Sequence, residues 1–480
     1  MKEKIKFVFI YQTSPRSTSD ANLTRLSLEK INRSFPSVPV FSNLSLDGAT
    51  VVSGTQMECL RKTAEGLCQD DQDSGAVFYD LFPFLDDSLL DAAIHDHMEY
   101  LAHYTYVDNV PPGFLCDLVS WEWLRDTKIF PENVRDHIYK NIDKYDVEIF
   151  YRLPDLRQKR LDFSTASARS RRLASDALEI DKHLDYTGLL DFILDHPEIL
   201  RPFPSYFELE VTSKSDVKPV FIPRREKEVE MDFALAQKLA LDIRENGLFD
   251  DATISLSGFG DPCFHPRIPE MIELFTSLEN VRTVYLETYG TRFDKAFADK
   301  VERVQNSGKI QVIVKCTTLR PDRYRALYGA DLFGQVNANL SALSEMKRSF
   351  AVYAEMIKMK DIEDEISAYF DRFNGSINPI LGKFNTYIDR LEERRVSDLT
   401  PLGRDFCWHL ARDFYLSAEG RSPVCRQDPF AERSSLDFHS MSIKSILEKT
   451  MIYHSSSIRD RHENIPMPCL NCDEWYTFNG

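Results

Sequence analysis

The sequence predicts an α/β protein with an N-terminal doubly wound parallel sheet, a central partial (β/α) barrel and a small C-terminal cysteine-rich domain. Three observations carry this prediction. Apolar runs alternate with segments of helical spacing over residues 1–155 and again over residues 206–400, and four cysteines fall within residues 401–480. Strand–helix units of this length favour parallel strands joined by right-handed crossovers. A chain of 480 residues is long enough to bury several separate cores.

The net charge and the hydropathy of the chain limit the classes of molecule that we expect it to bind. The formal net charge is −17, whereas nucleic acids and anionic membranes require concentrated Lys and Arg on one face. No stretch approaches the roughly 18 apolar residues of a membrane span, and the start of the chain runs into a short strand rather than a signal peptide. We therefore expect a cytoplasmic protein whose partner is a small molecule or another protein, with no nucleic acid and no membrane involved.

The first series of elements occupies residues 1–155. The compact apolar run Lys6–Tyr11 predicts a strand, and Leu23–Ile31 has helical spacing. A second apolar run, Ala76–Asp80, ends in an acid and precedes a predicted helix over Asp87–Tyr100. Because ligands of doubly wound sheets bind beyond the carboxyl ends of the strands, Asp80 is a candidate ligand-binding residue.

The segment 79–86, Tyr-Asp-Leu-Phe-Pro-Phe-Leu-Asp, and the stretches 89–94 and 102–106 resemble the cytidylyltransferase-like family, whose members form nucleotide sugars. The resemblance implies a nucleotide-diphospho-sugar transferase-like domain, with Asp80 as a magnesium ligand beside nucleotide phosphates. Two departures are present. Two residues rather than one separate Asp80 from Pro83, and the glycine-containing loop expected after the first strand is replaced by Gln12–Thr18. The alternatives are therefore nucleotidyl transfer through Asp80 and a retained scaffold in which Asp80 caps a strand end.

Residues 156–205 are more polar and helical and close with three prolines, which predicts a connector. A second alternating series then begins with the predicted strand Tyr206–Val211. The following elements, in order, are a helix, a strand, a helix, a strand, a helix and a strand, over Asp232–Arg244, Ala252–Ser257, Ile268–Leu278, Thr283–Glu287, Phe293–Val304 and Ile310–Lys315. Repeats of this kind predict an open or closed barrel over residues 206–400.

The loop after the second barrel strand reads Ser-Gly-Phe-Gly-Asp-Pro-Cys-Phe-His-Pro over residues 257–266. Glycines at a strand end allow close backbone approach to a ligand. Together with the turn Glu287–Thr291, this loop resembles the glycine-rich loop of radical S-adenosylmethionine (radical SAM) enzymes, which contacts the amino group of the cofactor. The resemblance implies cofactor-binding roles for Gly258, Gly260 and Asp261, the last standing where the family usually has Glu.

Radical SAM chemistry needs three thiolates in a CxxxCxxC motif to hold a 4Fe-4S cluster with one open iron. Aligned on Thr212, the three positions hold Ser215, Pro219 and Ile222, and the motif occurs nowhere in the sequence. Proline and isoleucine carry no side-chain atom that ligates iron. The sequence therefore predicts a barrel without radical chemistry, and it leaves open whether S-adenosylmethionine still binds.

Four cysteines near the end of the chain, Cys407, Cys425, Cys469 and Cys472, have the composition of one complete metal site. Two residues separate Cys469 from Cys472, which lets one turn aim both thiolates at one ion. A predicted hairpin over 413–421 would bring Cys407 beside Cys425. The alternative is a redox CxxC pair with two buried thiols. A four-thiolate site suits zinc as well as an iron–sulfur cluster.

Residues 401–480 resemble the SPASM extension of radical SAM maturases, in the segments 404–408, 420–428, 442–449 and 468–475. The resemblance implies one auxiliary 4Fe-4S cluster rather than zinc. The three segments together, the cytidylyltransferase-like residues 1–155, the barrel over 206–400 and the cysteine-rich residues 401–480, resemble the group called spiro-SPASM proteins. This resemblance spans nearly the whole chain. Three functions stay open: a cluster-binding protein whose barrel binds a ligand or partner or serves electron transfer, an active radical SAM enzyme with unconventional ligation, and a nucleotidyltransferase.

Overall fold

The computed structural model describes residues 1–246, 249–375, 377–459, 462–465 and 467–477, and of Arg16, Ser17 and Asn464 only the backbone. The chain divides into two compact units, Met1–Leu200 and Arg201–Gly480. The predicted connector over 156–205 thus lies mostly with the first unit. Among the described residues, no helix has the length and apolar character that crossing a membrane requires.

Within its described residues, the first unit contains a seven-stranded sheet in the order β3-β2-β1-β4-β6-β5-β7. Its strands are β1 Ile5–Tyr11, β2 Val40–Ser42, β3 Thr50–Val51, β4 Ser74–Tyr79, β5 Tyr104–Val107, β6 Asp117–Ser120 and β7 Val147–Phe150. Its helices are α1 Ala21–Ser34, α2 Gln56–Ala64, α3 Asp87–Glu99, α4 Trp121–Asp126, α5 Val134–Lys140, α6 Ala168–Ile180 and α7 Leu189–Asp195.

The sheet of the first unit is mixed rather than wholly parallel. β6 runs antiparallel to both of its neighbours, β4 and β5, while the other pairs are parallel. β1 and β4 lie at the centre, and almost all their residues are buried because both faces of the sheet are covered. The α/β class is confirmed, and the expectation of a purely parallel first sheet is corrected at β6.

His97 lies on the buried face of α3, with only 2% of its surface exposed. Its Nε2 is 3.1 Å from Ser74 Oγ and its Nδ1 is 2.7 Å from Thr105 Oγ1. Burial lowers the pKa of His97 to about 4, and the positive charge of His103 acts in the same direction. The folded unit therefore holds a neutral imidazole at neutral pH.

We expect this histidine to make the first unit less stable in mild acid. The pKa of His97 in the folded state lies below the value of about 6.5 for a histidine in an unfolded chain. As the pH falls from about 6.5 towards 4, the unfolded state therefore binds a proton that the folded state does not, and the free energy of unfolding decreases. Over that range the loss is up to about 3 kcal/mol. Urea unfolding at pH 7 and pH 5 should show a smaller pH dependence in His97→Asn than in wild type. The matched change His95→Asn, on the exposed face of α3, should change the pH dependence less than His97→Asn does; equal slopes for His97→Asn and wild type would contradict this assignment.

The second unit contains, within its described residues, a seven-stranded sheet in the order β13-β12-β11-β10-β9-β8-β14. Its strands are β8 Tyr206–Glu210, β9 Ala252–Ser257, β10 Val281–Thr288, β11 Ile310–Lys315, β12 Ala351–Lys358, β13 Asn378–Lys383 and β14 Asp413–Leu416. Its helices are α8 Phe233–Glu245, α9 Ile268–Thr276, α10 Lys295–Glu302, α11 Pro321–Tyr328, α12 Phe333–Glu345, α13 Ile366–Arg372, α14 Trp408–Arg412, α15 Ile443–Lys449 and α16 Met451–Ile458.

Every strand pairing in this second sheet is parallel. Six consecutive strands, β8 to β13, form an open barrel sheet, and β14 from the tail adds to it beside β8. The apolar faces of the helices pack on the outer face of the sheet, as for Leu235, Leu239 and Ile243 of α8. The inner face carries polar and charged side chains, and this arrangement creates the site described next.

Candidate metal centre and barrel cavity

The four tail cysteines come from three separate segments. Cys407 precedes α14, and its backbone N–H donates to Ser457 Oγ at 2.9 Å, which ties this segment to α16. Cys469 opens a single 3₁₀ turn over Cys469–Asn471, and Cys472 follows that turn directly. Cys407 and Cys469 belong to a small buried cluster with Leu410, Ile465 and Trp475. The structure thus gathers all four sequence-predicted thiols at the end of the chain.

Besides burial, electrostatic interactions among the four thiols raise the pKa values of Cys407, Cys425 and Cys469. Burial raises the pKa of Cys469 to about 12 and that of Cys472 to about 11, and the charge of Cys472 adds to the shift of Cys469. Burial, and then the charges of Cys469 and Cys472, raise the pKa of Cys407 and of Cys425 still further. The guanidinium of Arg404 opposes the shifts of Cys469 and Cys472. A bound cation would stabilise all four thiolates.

The sulfur atoms of the tail do not form a three-ligand group as tight as the one on the surface of α3. In the described part of the chain, the only three metal-ligating atoms within 4.8 Å of one another belong to His95, Asp96 and Glu99 on the surface of α3, so no three tail sulfurs come that close. The backbone N–H of Gln427 donates to Cys425 Sγ at 3.4 Å, and that of Glu474 donates to Cys472 Sγ at 3.3 Å. Such N–H···S contacts are typical of iron–sulfur ligands.

The predicted hairpin between Cys407 and Cys425 is wrong, although its first strand and its turn form. β14 is hydrogen bonded to β8 in parallel, with Asp413 opposite Tyr206. The chain turns at Gly420, which has φ +80°, but after the turn the described residues form no returning strand, and Arg421 makes an isolated bridge with Asp437 instead. Pairing with β8 rather than with the following segment positions this part of the tail.

The glycine loop packs against the end of β8 and the segment that follows it. A Cβ on Gly258 would lie 2.7 Å from Glu210 Cα, and a Cβ on Gly260 would lie 2.5 Å from Thr212 O. Asp261 is fully buried, where its carboxylate accepts hydrogen bonds from Thr288 Oγ1 at 2.8 Å and from two further donors, the backbone N–H groups of Cys263 and Tyr289. Burial raises the pKa of Asp261. The three residues predicted to bind a cofactor therefore make internal contacts, and their cofactor role stays a prediction.

The three positions aligned with the missing motif do not converge. Ser215 and Pro219 line a small cavity of about 150 Å³, whereas Ile222 lines the much larger cavity inside the barrel. The hydroxyl of Ser215 accepts a hydrogen bond from Val217 N at 3.2 Å. The loop itself is closed by a bridge between Thr212 and Glu230. Backbone pairing and apolar packing both contribute to holding this loop.

The larger cavity lies on the inner face of the barrel sheet and has a volume of about 580 Å³. Side chains from strands β8 and β10 to β13, from the loop after β8 and from the tail line it. Its polar and aromatic lining includes Tyr206, Tyr285, Glu287, Lys315, Tyr353, Glu355, Lys383, Tyr387, His409, Arg426, Gln427 and Glu474. A cavity of this size with converging polar groups is typical of a small-molecule site.

Most charges in the cavity are paired. Lys315 Nζ lies 2.7 Å from Glu287 Oε2, and Arg426 Nη1 lies 3.4 Å from Glu208 Oε2. Arg426 Nη2 also donates to Tyr387 Oη at 2.8 Å. The sequence prediction missed these residues. The signal that could have found them is the charged residue at alternate positions of apolar strands, as in the Phe-Glu-Leu-Glu of β8.

Asp80 directly follows β4, as predicted, in a backbone conformation with φ +67°. Its Oδ1 accepts a hydrogen bond from Thr13 N at 3.0 Å, and its Oδ2 accepts one from Thr13 Oγ1 at 2.6 Å. Both oxygens thus bind the loop Gln12–Thr18, which follows β1. Its role as a magnesium ligand stays a prediction.

Comparison with protein families and with known proteins gave distant similarities. No family model matches the chain. An uncharacterized protein of Treponema pallidum is 25% identical over 361 residues, 72% of this chain and 98% of that protein. A GTP 3',8-cyclase of Mannheimia succiniciproducens is 28% identical over 138 residues, 27% of this chain and 37% of the cyclase.

Solved structures with a similar fold include SuiB of Streptococcus suis bound to the precursor peptide SuiA, with a TM-score of 0.45 at 11% identity over 64% of this chain and 82% of SuiB. They also include BtrN in complex with AdoMet and 2-DOIA, with a TM-score of 0.39 at 13% identity over 56% of this chain and 93% of BtrN.

Proposed function

We propose that the chain is an iron–sulfur protein in which Cys407, Cys425, Cys469 and Cys472 hold one 4Fe-4S cluster, within a SPASM-like domain over residues 401–480. In this proposal the radical SAM-like barrel no longer cleaves S-adenosylmethionine and instead binds a small molecule or a partner. The first unit serves as a cytidylyltransferase-like scaffold.

One observation carries the proposal: the chain keeps four thiols together in the tail and has none at the three positions of the barrel motif. Ser215, Pro219 and Ile222 face two different cavities, so even substitution by cysteine would not by itself assemble three ligands. The tail, by contrast, brings four thiols into electrostatic contact.

The resemblance of residues 401–480 to the SPASM extension supports iron over zinc, and the sulfur atoms are not arranged as a ready zinc site. In a tetrahedral zinc site, Zn–S bonds of about 2.3 Å place the sulfurs about 3.8 Å apart. In a 4Fe-4S cluster each thiolate binds a different iron at a corner of the cube, so the sulfurs are farther apart. Among the four tail thiols, all of them described, no three lie within 4.8 Å of one another. Because all four irons would carry a thiolate, the cluster suits electron transfer or a structural role rather than substrate binding.

The test is anaerobic reconstitution followed by iron, sulfide and zinc analysis, and then incubation with S-adenosylmethionine and dithionite. We expect one cluster, with about four iron and four sulfide per chain, and no 5′-deoxyadenosine above the protein-free blank. An authentic radical SAM enzyme in parallel controls for the reductant. Two clusters per chain, stoichiometric zinc, or 5′-deoxyadenosine formed in proportion to protein would each overturn the proposal.

A further inference from the structure

The charges around the barrel cavity do not balance. Each of its three cations has a carboxylate partner: Lys315 pairs with Glu287 at 2.7 Å, Lys383 pairs with Glu474 at 2.7 Å, and Arg426 pairs with Glu208 at 3.4 Å. His409 is likewise bonded to Asp413. After these pairs are removed, one acidic side chain of the lining remains, Glu355 of β12.

The carboxylate of Glu355 has no hydrogen bond or ion pair with any described residue, and only longer-range charges act on it. Lys315, on the neighbouring strand β11 and directly opposite in register, points its ammonium at Glu287 instead. Gly382 of β13 leaves room for the carboxylate, since a Cβ there would lie 2.7 Å from Glu355 Oε1. An unpaired carboxylate beside a cavity favours a cation as its partner.

The side-chain amide of Gln427 also favours a ligand that donates hydrogen bonds. Gln427 is only 4% exposed and lines the same cavity, and its Oε1 has no hydrogen-bond partner among the described residues. A buried carbonyl oxygen without a donor costs about 1–3 kcal/mol, so a ligand that donates hydrogen bonds would stabilise it. Arg426 Nε also lacks a partner, but Glu208 neutralises the charge of that guanidinium.

The aromatic side chains of the cavity lining also favour a cationic ligand. Tyr206, Tyr285, Tyr353 and Tyr387 line the cavity, and the faces of tyrosine rings attract cations within about 6 Å. From the single unpaired charge, the unpartnered acceptor and these rings, we infer that the barrel cavity binds a small organic molecule that carries a primary ammonium group, with Glu355 as its counter-ion. This inference rests on the proposed ligand-binding role of the barrel and not on the tail cluster.

Three probes of nearly equal shape test the charge preference: cyclohexylammonium, cyclohexanol and cyclohexanecarboxylate. Binding is measured by ligand-observed NMR on anaerobically purified full-length protein at mildly alkaline pH, because burial raises the pKa of Glu355. We expect cyclohexylammonium to bind at least tenfold more tightly than either analogue. Glu355→Gln, which keeps the shape and removes the charge, should weaken binding of the ammonium at least tenfold. Glu345→Gln, at the exposed end of α12, is the matched control and should have no effect.

Three results would overturn the inference: equal or tighter binding of the neutral or anionic probe, no saturable binding of the ammonium, or unchanged affinity in Glu355→Gln. Circular dichroism verifies that each variant is folded, and if Glu355→Gln does not fold, the order of the three probes on the wild-type protein decides. Iron is measured on the same samples. A full cluster without ammonium binding contradicts this inference alone, and ammonium binding without a cluster contradicts only the proposed metal centre.

Discussion

Replacing Cys469 with alanine is expected to abolish the proposed iron–sulfur centre. The side chain lies in the buried apolar cluster with Cys407 and shares a single turn with Cys472. Without it, one iron of the cube loses its thiolate in a site that offers no other thiol among the described residues. Because a cluster with a missing ligand is readily lost, we expect iron and sulfide to fall from about four per chain to less than about one, together with the visible absorbance of the cluster.

Cys263→Ala is the matched control. Cys263 is also a buried thiol of the second unit, but its nearest polar partner is Thr288 Oγ1 at 3.6 Å rather than another cysteine. We expect this variant to keep its full iron and sulfide content. Retention of the cluster in Cys469→Ala, or equal loss in both variants, would contradict the assignment of the four ligands.

Replacing Arg225 with methionine is expected to destabilise the second unit by about 3–5 kcal/mol. Arg225 and Glu210 form a two-pronged ion pair at the end of β8, with distances of 2.8 Å and 2.7 Å. The side chains of Arg225 and Glu210 are 10% and 0% exposed, so removal of the guanidinium leaves a buried carboxylate whose remaining hydrogen bond comes from Ala418 N at 3.1 Å. Hydrogen exchange of the β8 and β9 amides, followed by mass spectrometry, measures the loss for this unit.

Two further variants separate the buried charge from the lost packing. The double variant Glu210→Gln with Arg225→Met removes both charges and should recover more than half of the loss. Arg320→Met breaks an exposed pair, Arg320 with Asp322 at 3.1 Å, and should cost less than about 1 kcal/mol. If the single and double variants at Arg225 exchange equally fast, the buried carboxylate is not the cause.

Individual strands and helices could be predicted from the sequence because the spacing of hydrophobic residues depends directly on the local secondary structure. The strands at Lys6–Tyr11 and Ile310–Lys315 were predicted within a residue of β1 and β11. Strand direction was not predictable in this way. The four-residue strand β6 carries no signal that distinguishes antiparallel from parallel pairing, so the mixed character of the first sheet emerged only from the structure.

The sequence predicted which residue types form the candidate metal site. It did not predict which elements bring them together. Cysteine spacing indicated the four thiols, but the partner of β14 depends on a strand about 200 residues earlier, which local patterns do not show. The cavity was missed for the same reason. Glu355, Gln427 and Lys315 are far apart in sequence, and only the closure of the sheet and the return of the tail bring them to one cavity.

The pairing of β14 with β8 has a consequence for how the chain folds during synthesis. The contact between Glu210 and Ala418 joins residues 208 positions apart, which a ribosome adding about 5–20 residues per second needs about 10–40 s to connect. For that interval one edge of β8 has no neighbouring strand and can pair with another nascent chain. A segment translated long after β8 thus covers this edge. Cells that make the protein at high temperature should depend on chaperones until this segment emerges.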